Sequence, residues 1–212
     1  MLDMANRKRR KKLKSLQNAM NNQINQNQNQ NGNEQNVVAY NQYQEEHKDC
    51  MKSPTYGYVT IEQVAKIVTD FILEDENANF EITIGTDSQN FNMTKMVEVI
   101  AVHKIGKGGI YFYKKELIRR INNLHQKIME ETSRSIALAD KFYEALELEM
   151  MERNTLIENY NVHNQIHCDI GTVGKTSGLI QEITGWVKRS GYECKIKPES
   201  YAASGVANKI SK

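Results

Sequence analysis

Two aspartates stand at the ends of two apolar runs: Asp87 closes FEITIGTD and Asp169 closes NQIHCD. A third acid, Glu131, interrupts a helical stripe whose other members, at positions 124, 128, 135, 138 and 142, are all apolar or small. Its neighbour Glu130 falls off that stripe and is expected in solvent. A carboxylate on the buried side of a helix must be paired, protonated or bound to a cation, because an isolated buried charge is too costly to keep. Three oxygen donors, with no cysteine or clustered histidine beside them, select a hard ion, magnesium or manganese. Such a cluster supports in-line displacement at phosphorus, one ion activating the attacking water and a second, roughly 4 Å away, stabilising the leaving oxygen.

The elements that must position these acids are legible in the periodicity. Thr60 reads as a helix N-cap with Gln63 three residues on, and apolar residues follow at helical spacing to about Leu73. FEITIGTD then alternates as a strand, MVEVIAVHKI is a mostly buried strand, and after the GKGG turn IYFYKKEL is a third. Two short connections in a row imply an antiparallel meander. Lys115 to Arg153 reads as helix, followed by strand NQIHCDI, helix SGLIQEITGWVKRSG, strand YECKIKP and a last helix from about Ser200. This element order predicts an α/β fold, a mixed five-stranded sheet in the order 3-2-1-4-5 with helices on both faces. Its first and fourth strands lie parallel and adjacent, so Asp87 and Asp169 end side by side in the crevice where open α/β sheets bind ligands.

The loop after Asp169, GTVGKT, raises a competing nucleotide-binding reading, since it links a strand to a helix through Gly174, Lys175 and Thr176. A phosphate-cradling loop needs a glycine where Asp169 stands, and a carboxylate there repels the phosphate. Only 36 residues follow Thr176, too few for the second, magnesium-binding strand of a nucleotide hydrolase. The nucleotide reading is therefore the lesser alternative. Lys175 and Thr176 remain candidate phosphate contacts at a helix N-terminus.

The rest of the chain bounds partners and compartment. Net charge is +2, but residues 1–14, which include RKRRKKLK, carry net +6, leaving −4 for the remainder. Residues 17–36 are mostly Asn and Gln and cannot bury enough apolar surface to order themselves. Residues 1–52 are thus expected to be a basic, low-complexity tail that either touches phosphate, in nucleic acid or on a membrane surface, or serves as a solubilising arm or localisation signal, and residues 53–212 the folded domain. Cys50, Cys168 and Cys194 are too scattered for a disulfide framework or a zinc site. No apolar run spans a bilayer and no signal peptide is present, so a cytoplasmic location is expected. His167, Cys168 and Trp186 read most simply as core residues.

Several segments together resemble a known family: GTDSQ, the glutamate helix continuing ETSRSIALA, HCDIG with its GKT loop, GWV, and KIKPESYAAS. They resemble the predicted ribonuclease H-related nucleases of the YkuK type, over roughly residues 54–212. The resemblance implies a ribonuclease H-like fold, with metal-binding acids on the first strand, the first core helix and the fourth strand. Asp87, Glu131 and Asp169 occupy those positions. It also implies a magnesium- or manganese-dependent nuclease acting on RNA, an RNA/DNA hybrid or structured nucleic acid, with no membrane partner. Ser88, Gln89, Lys175, Thr176 and Lys197 are the candidate substrate contacts. One departure matters: Asn208 stands where a fourth acid is usual, and Glu199 is the nearest replacement. A poorly held second ion would leave a weak nuclease or a nucleic-acid-binding module without turnover.

Overall fold

The computed structural model describes residues 48–174, 176–201 and 205. The low-complexity tail, Lys175, Asn208 and most of the segment read as a last helix lie outside them.

Among the described residues seven strands form one sheet: β1 (Met51–Ser53), β2 (Gly57–Val59), β3 (Asn79–Asn90), β4 (Thr94–Lys104), β5 (Gly108–Ile118), β6 (Asn161–Gly171) and β7 (Glu193–Lys197). The order is β2-β1-β5-β4-β3-β6-β7. Five of them, β5-β4-β3-β6-β7, reproduce the 3-2-1-4-5 arrangement expected from the sequence. The expected count of five is corrected to seven by β1 and β2, three-residue strands too short to show any period. They add to the free edge of β5, and the sheet begins at Met51, two residues before the expected domain start. The meander β3-β4-β5 is antiparallel over eleven paired positions in each ladder. Lys104 pairs with Gly108 across a tight turn that carries Gly106 and Gly108 at φ +78° and +98°, a region that glycine enters without steric cost. β6 lies parallel to β3, and β7 parallel to β6.

Three helices are described: α1 (Ile61–Leu73), α2 (Leu124–Glu152) and α3 (Ile180–Arg189). α1 starts with a reciprocal capping box, Thr60 Oγ1 accepting from Gln63 N while Gln63 Oε1 accepts from Thr60 N. α2 starts nine residues later than its periodicity suggests, because β5 runs to Ile118 along its full ladder with β4. Leu117, inside the run expected to be helical, is a strand residue and 63% exposed. Asn123 caps α2 by accepting from Gln126 N.

One continuous core joins all three helices to the same face of the sheet. Phe80, Ile82, Ile84, Ile100, Val102, Phe112 and Ile166 meet Val64, Val68 and Ile72 of α1, Phe142 and Leu146 of α2, and Ile183 and Val187 of α3. The expectation of helices on both faces is therefore corrected for the described residues. Phe142 is fully buried at the centre of α2. Phe142→Ala is expected to lower unfolding free energy by about 3–5 kcal/mol, the range for a large aromatic removed from a close-packed site, measured by urea titration.

Candidate active site

The register of the parallel pair β3 and β6 sets Gly85 opposite His167, and pairing stops there. Asp87 and Asp169 each lie two residues further along, so they stand at the same height on the same side of two diverging strands. Both line a crevice of ≈ 290 Å³, together with Glu131, Lys127, Thr176 and Lys197. Glu131 enters from α2. It is 7% exposed and accepts a 2.6 Å hydrogen bond at Oε1 from Ser88 Oγ. Below it, Ser135 Oγ donates to Glu131 O at 2.8 Å and lies 3.0 Å from Thr86 Oγ1, tying the helix to the strand that carries Asp87. Glu130 is turned aside and held by Arg134 at 2.7 Å.

The electrostatics follow from burial and crowding. Burial, then the neighbouring charge of Asp169, pushes the Asp87 carboxyl above the usual carboxylate range. Glu131 is pushed up to about 7, chiefly by burial, although the Ser88 hydroxyl and Lys127 oppose the rise. Asp87 and Asp169 both add to it. Two ammonium groups offset the accumulated charge. Lys197 Nζ is 2.6 Å from Asp169 Oδ1, and no hydrogen-bond donor among the described residues reaches that enclosed oxygen with good alignment. Lys127 Nζ lies 3.7 Å from Glu131 Oε1 and donates to Ser88 O at 2.7 Å.

Among the described residues no group of three or more His, Cys, Asp or Glu side chains stands close enough to hold a metal ion as arranged. The acids share one crevice, with lysines interposed. This donor set still fits a hard cation: hard oxygen atoms only, two raised carboxyl pKa values, and ammonium groups standing in for positive charge.

The other candidate residues divide. Ser88 supports Glu131, and Lys197 faces Asp169 across the strand end. Gln89 is half-buried beside them but absent from the crevice wall. Thr176 lines the crevice, with its Oγ1 accepting from Gly171 N, so the loop closes on itself through a donor that a phosphate would need. Glu199 is exposed and lies 3.6 Å from Lys195, so it adds no fourth carboxylate to the crevice. Lys127 escaped sequence reasoning, although its position four residues before Glu131 was the available signal.

His167, two residues before Asp169, is a satisfied buried histidine. Its Nδ1 accepts from Tyr201 N at 3.1 Å, which places the proton on Nε2, 3.2 Å from Gln165 Oε1. Burial holds it down to about 4. Between pH 6.5 and 4 the unfolded chain takes up a proton that the folded chain refuses, so this histidine's contribution falls as pH falls. From pH 6.5 to 5 the expected loss is about 2 kcal/mol, read from urea unfolding, and His167→Gln is expected to remove that slope. Cys168 is buried beside Cys194, with sulfur atoms 3.8 Å apart and both thiols free.

A sheet with a central parallel pair, an acid at the end of each of those strands and a third on the helix packed over them is the arrangement of a nuclease-type fold. The ribonuclease H-like family profile matches residues 63–212, and the chain belongs to this family. It is similar to the protein named "Uncharacterized protein YkuK" of Bacillus subtilis (strain 168), 34% identical over 161 residues, covering 73% of this chain and 92% of that protein. No solved structure matches. Among the described residues no helix is long and apolar enough to cross a membrane.

Proposed function

We propose that the chain is a divalent-metal-dependent nuclease that hydrolyses phosphodiester bonds in RNA, an RNA/DNA hybrid or structured nucleic acid. The observation that carries this reading is the meeting of Asp87, Glu131 and Asp169, from β3, α2 and β6, in one crevice of a ribonuclease H-like chain. Those three residues would hold magnesium or manganese, which supplies charge stabilisation and water activation for displacement at phosphorus. Glu131 is kept in place by Ser88 and by the contact of Ser135 on α2 with Thr86 on β3. Lys127 and Lys197 neutralise the carboxylates until a cation takes that role, and then offer positive charge to the phosphates of a bound strand.

A second reading, a nucleic-acid-binding module without turnover, is favoured by the Lys197–Asp169 ion pair and by the outward position of Glu199. One experiment separates the two. End-labelled RNA, RNA/DNA hybrid and branched DNA are incubated with the protein in magnesium, in manganese and in chelator. Cleavage in either metal that vanishes with chelator supports the nuclease. Salt-dependent binding without cleavage in any metal supports the module.

A further inference from the structure

Two connections beyond the C-terminal end of β3 form a ledge that the crevice chemistry does not use. One is the turn from β3 to β4, residues 91–93, and the other is the segment from β5 to α2, residues 119–123. Hydrogen bonds lock the two together. Asn90 Nδ2 donates to Ile121 O at 2.7 Å, Ile121 N donates to Thr94 Oγ1 at 2.8 Å, and Thr94 Oγ1 donates to Asn90 Oδ1 at 2.7 Å. Arg120 Nη1 donates to Phe91 O and its Nε to Asn122 Oδ1, both at 2.8 Å. The second connection runs directly into α2, whose Leu124 and Lys127 line the crevice with Asp87 and Glu131. The ledge therefore borders the mouth of the crevice.

Its exposed groups are of two kinds. Phe91 is 62% exposed, more than any other aromatic ring among the described residues, and Met93 in the same turn is 43% exposed. Arg119 and Arg120 are exposed as well. The bonds to Phe91 and Asn122 use two of the five N–H donors of the Arg120 guanidinium, so its plane is fixed while three donors are left for a ligand. Charge is segregated here. Residues 88–95 and 118–127 hold Lys95, Arg119, Arg120 and Lys127 and no acid, on a body whose balance beyond residue 14 is −4. Such a surface complements a polyanion. A ring open to solvent next to a preorganised guanidinium matches an unpaired base and its phosphate. A duplex keeps its bases inside the stack, so a single strand alone presents both groups to this surface.

We propose that this ledge holds a single-stranded nucleic acid at the mouth of the acid crevice, with a base stacked on Phe91, a phosphate on the open side of the Arg120 guanidinium and the neighbouring phosphate near Arg119. Asn90, whose side chain ties the ledge to β3, lies three strand residues beyond Asp87, about 10 Å, so a few nucleotides span ledge and crevice. The proposal deepens the nuclease reading by giving its site a substrate class, and it rests on that reading only for the link between ledge and cleavage.

The test uses the full chain in chelator, so that binding is read without turnover. A fluorescein-labelled 12-nucleotide oligo-U, its deoxy counterpart and a blunt duplex of equal length are titrated by anisotropy at several salt concentrations. The single strands are expected to bind more tightly than the duplex. Arg119→Gln/Arg120→Gln is expected to lower the salt slope for single strands by about 1.4. Phe91→Ala is expected to weaken single-strand binding by about tenfold. Lys66→Gln, at an exposed position on α1, is expected to change neither. Melting temperatures near wild type establish that the variants fold. Photocrosslinking of a bromouridine-substituted strand to the wild-type protein, mapped by mass spectrometry, needs no variant and is expected at Phe91.

Unchanged affinity and slope in both ledge variants, an equal fall in Lys66→Gln, tighter binding of the duplex, or crosslinks confined to residues 1–14 would each overturn the ledge. Cleavage, read separately in magnesium and manganese, keeps the two readings apart. Binding through the ledge by a wild-type protein that never cleaves sinks the nuclease reading alone. Cleavage by a protein whose binding is indifferent to Phe91 and both arginines sinks the ledge alone.

Discussion

Asp87→Asn is expected to leave the fold in place and to lower metal-dependent cleavage by on the order of 10³-fold or more. The substitution keeps side-chain size and removes one charge from the crevice. A cation held by the three acids contributes several kcal/mol of charge stabilisation at the reacting phosphoryl group, and each 1.36 kcal/mol is tenfold in rate. The fold tolerates the change because the Asp87 charge is already disfavoured by burial and by Asp169. Measured with kcat on the best oligonucleotide in magnesium and manganese, and with melting temperature alongside, the result separates catalysis from folding. Undiminished cleavage by a folded Asp87→Asn protein would remove Asp87 from the mechanism.

The second large effect has the opposite sign for stability. In metal-free buffer at pH 8, Glu131→Gln is expected to stabilise the protein by up to about 3 kcal/mol while abolishing cleavage. Glu131 is held near 7 in the folded chain, against an ordinary value of 4.5. Between those two pH values the folded state keeps a proton that the unfolded state has released. Stability from this group is therefore full below pH 4.5 and is lost as pH rises through 7. Glutamine carries no charge to desolvate and its Oε1 can still accept from Ser88. The loss of stability between pH 4.5 and 7 should thus flatten in Glu131→Gln, read from urea midpoints at half-unit pH steps. An equally steep fall in the variant would show that another group titrates there. Retention of a carboxylate that costs stability is the pattern expected where a residue serves a site rather than the core.

Much of the fold was written locally. The alternation in FEITIGTD and the β-branched run of MVEVIAVHKI fixed the meander, because strand period and short turns are properties of neighbouring residues. The capping box at Thr60 did the same for the start of α1. Lys115 to Asn123 misled, since lysine, glutamate and leucine favour helices while the pairing of β5 with β4 held the first four of these residues as strand. β1 and β2 were invisible for a related reason, because a three-residue strand has no period and exists only against the edge of β5.

For the site, the residue types and their order along the chain were in the sequence: an aspartate ending each of two strands and a glutamate on an apolar helical stripe. Tertiary structure alone decided the rest. The parallel register of β3 and β6 levels Asp87 with Asp169, and Ser88 reaches across 43 residues to hold Glu131. Long-range pairing also aims Lys197 at Asp169 and turns Glu199 out toward Lys195. Periodicity reports which side of an element is buried. It carries no information on which distant charge will face that side, because such contacts are selected by the energy of the assembled chain and not by any one segment of it.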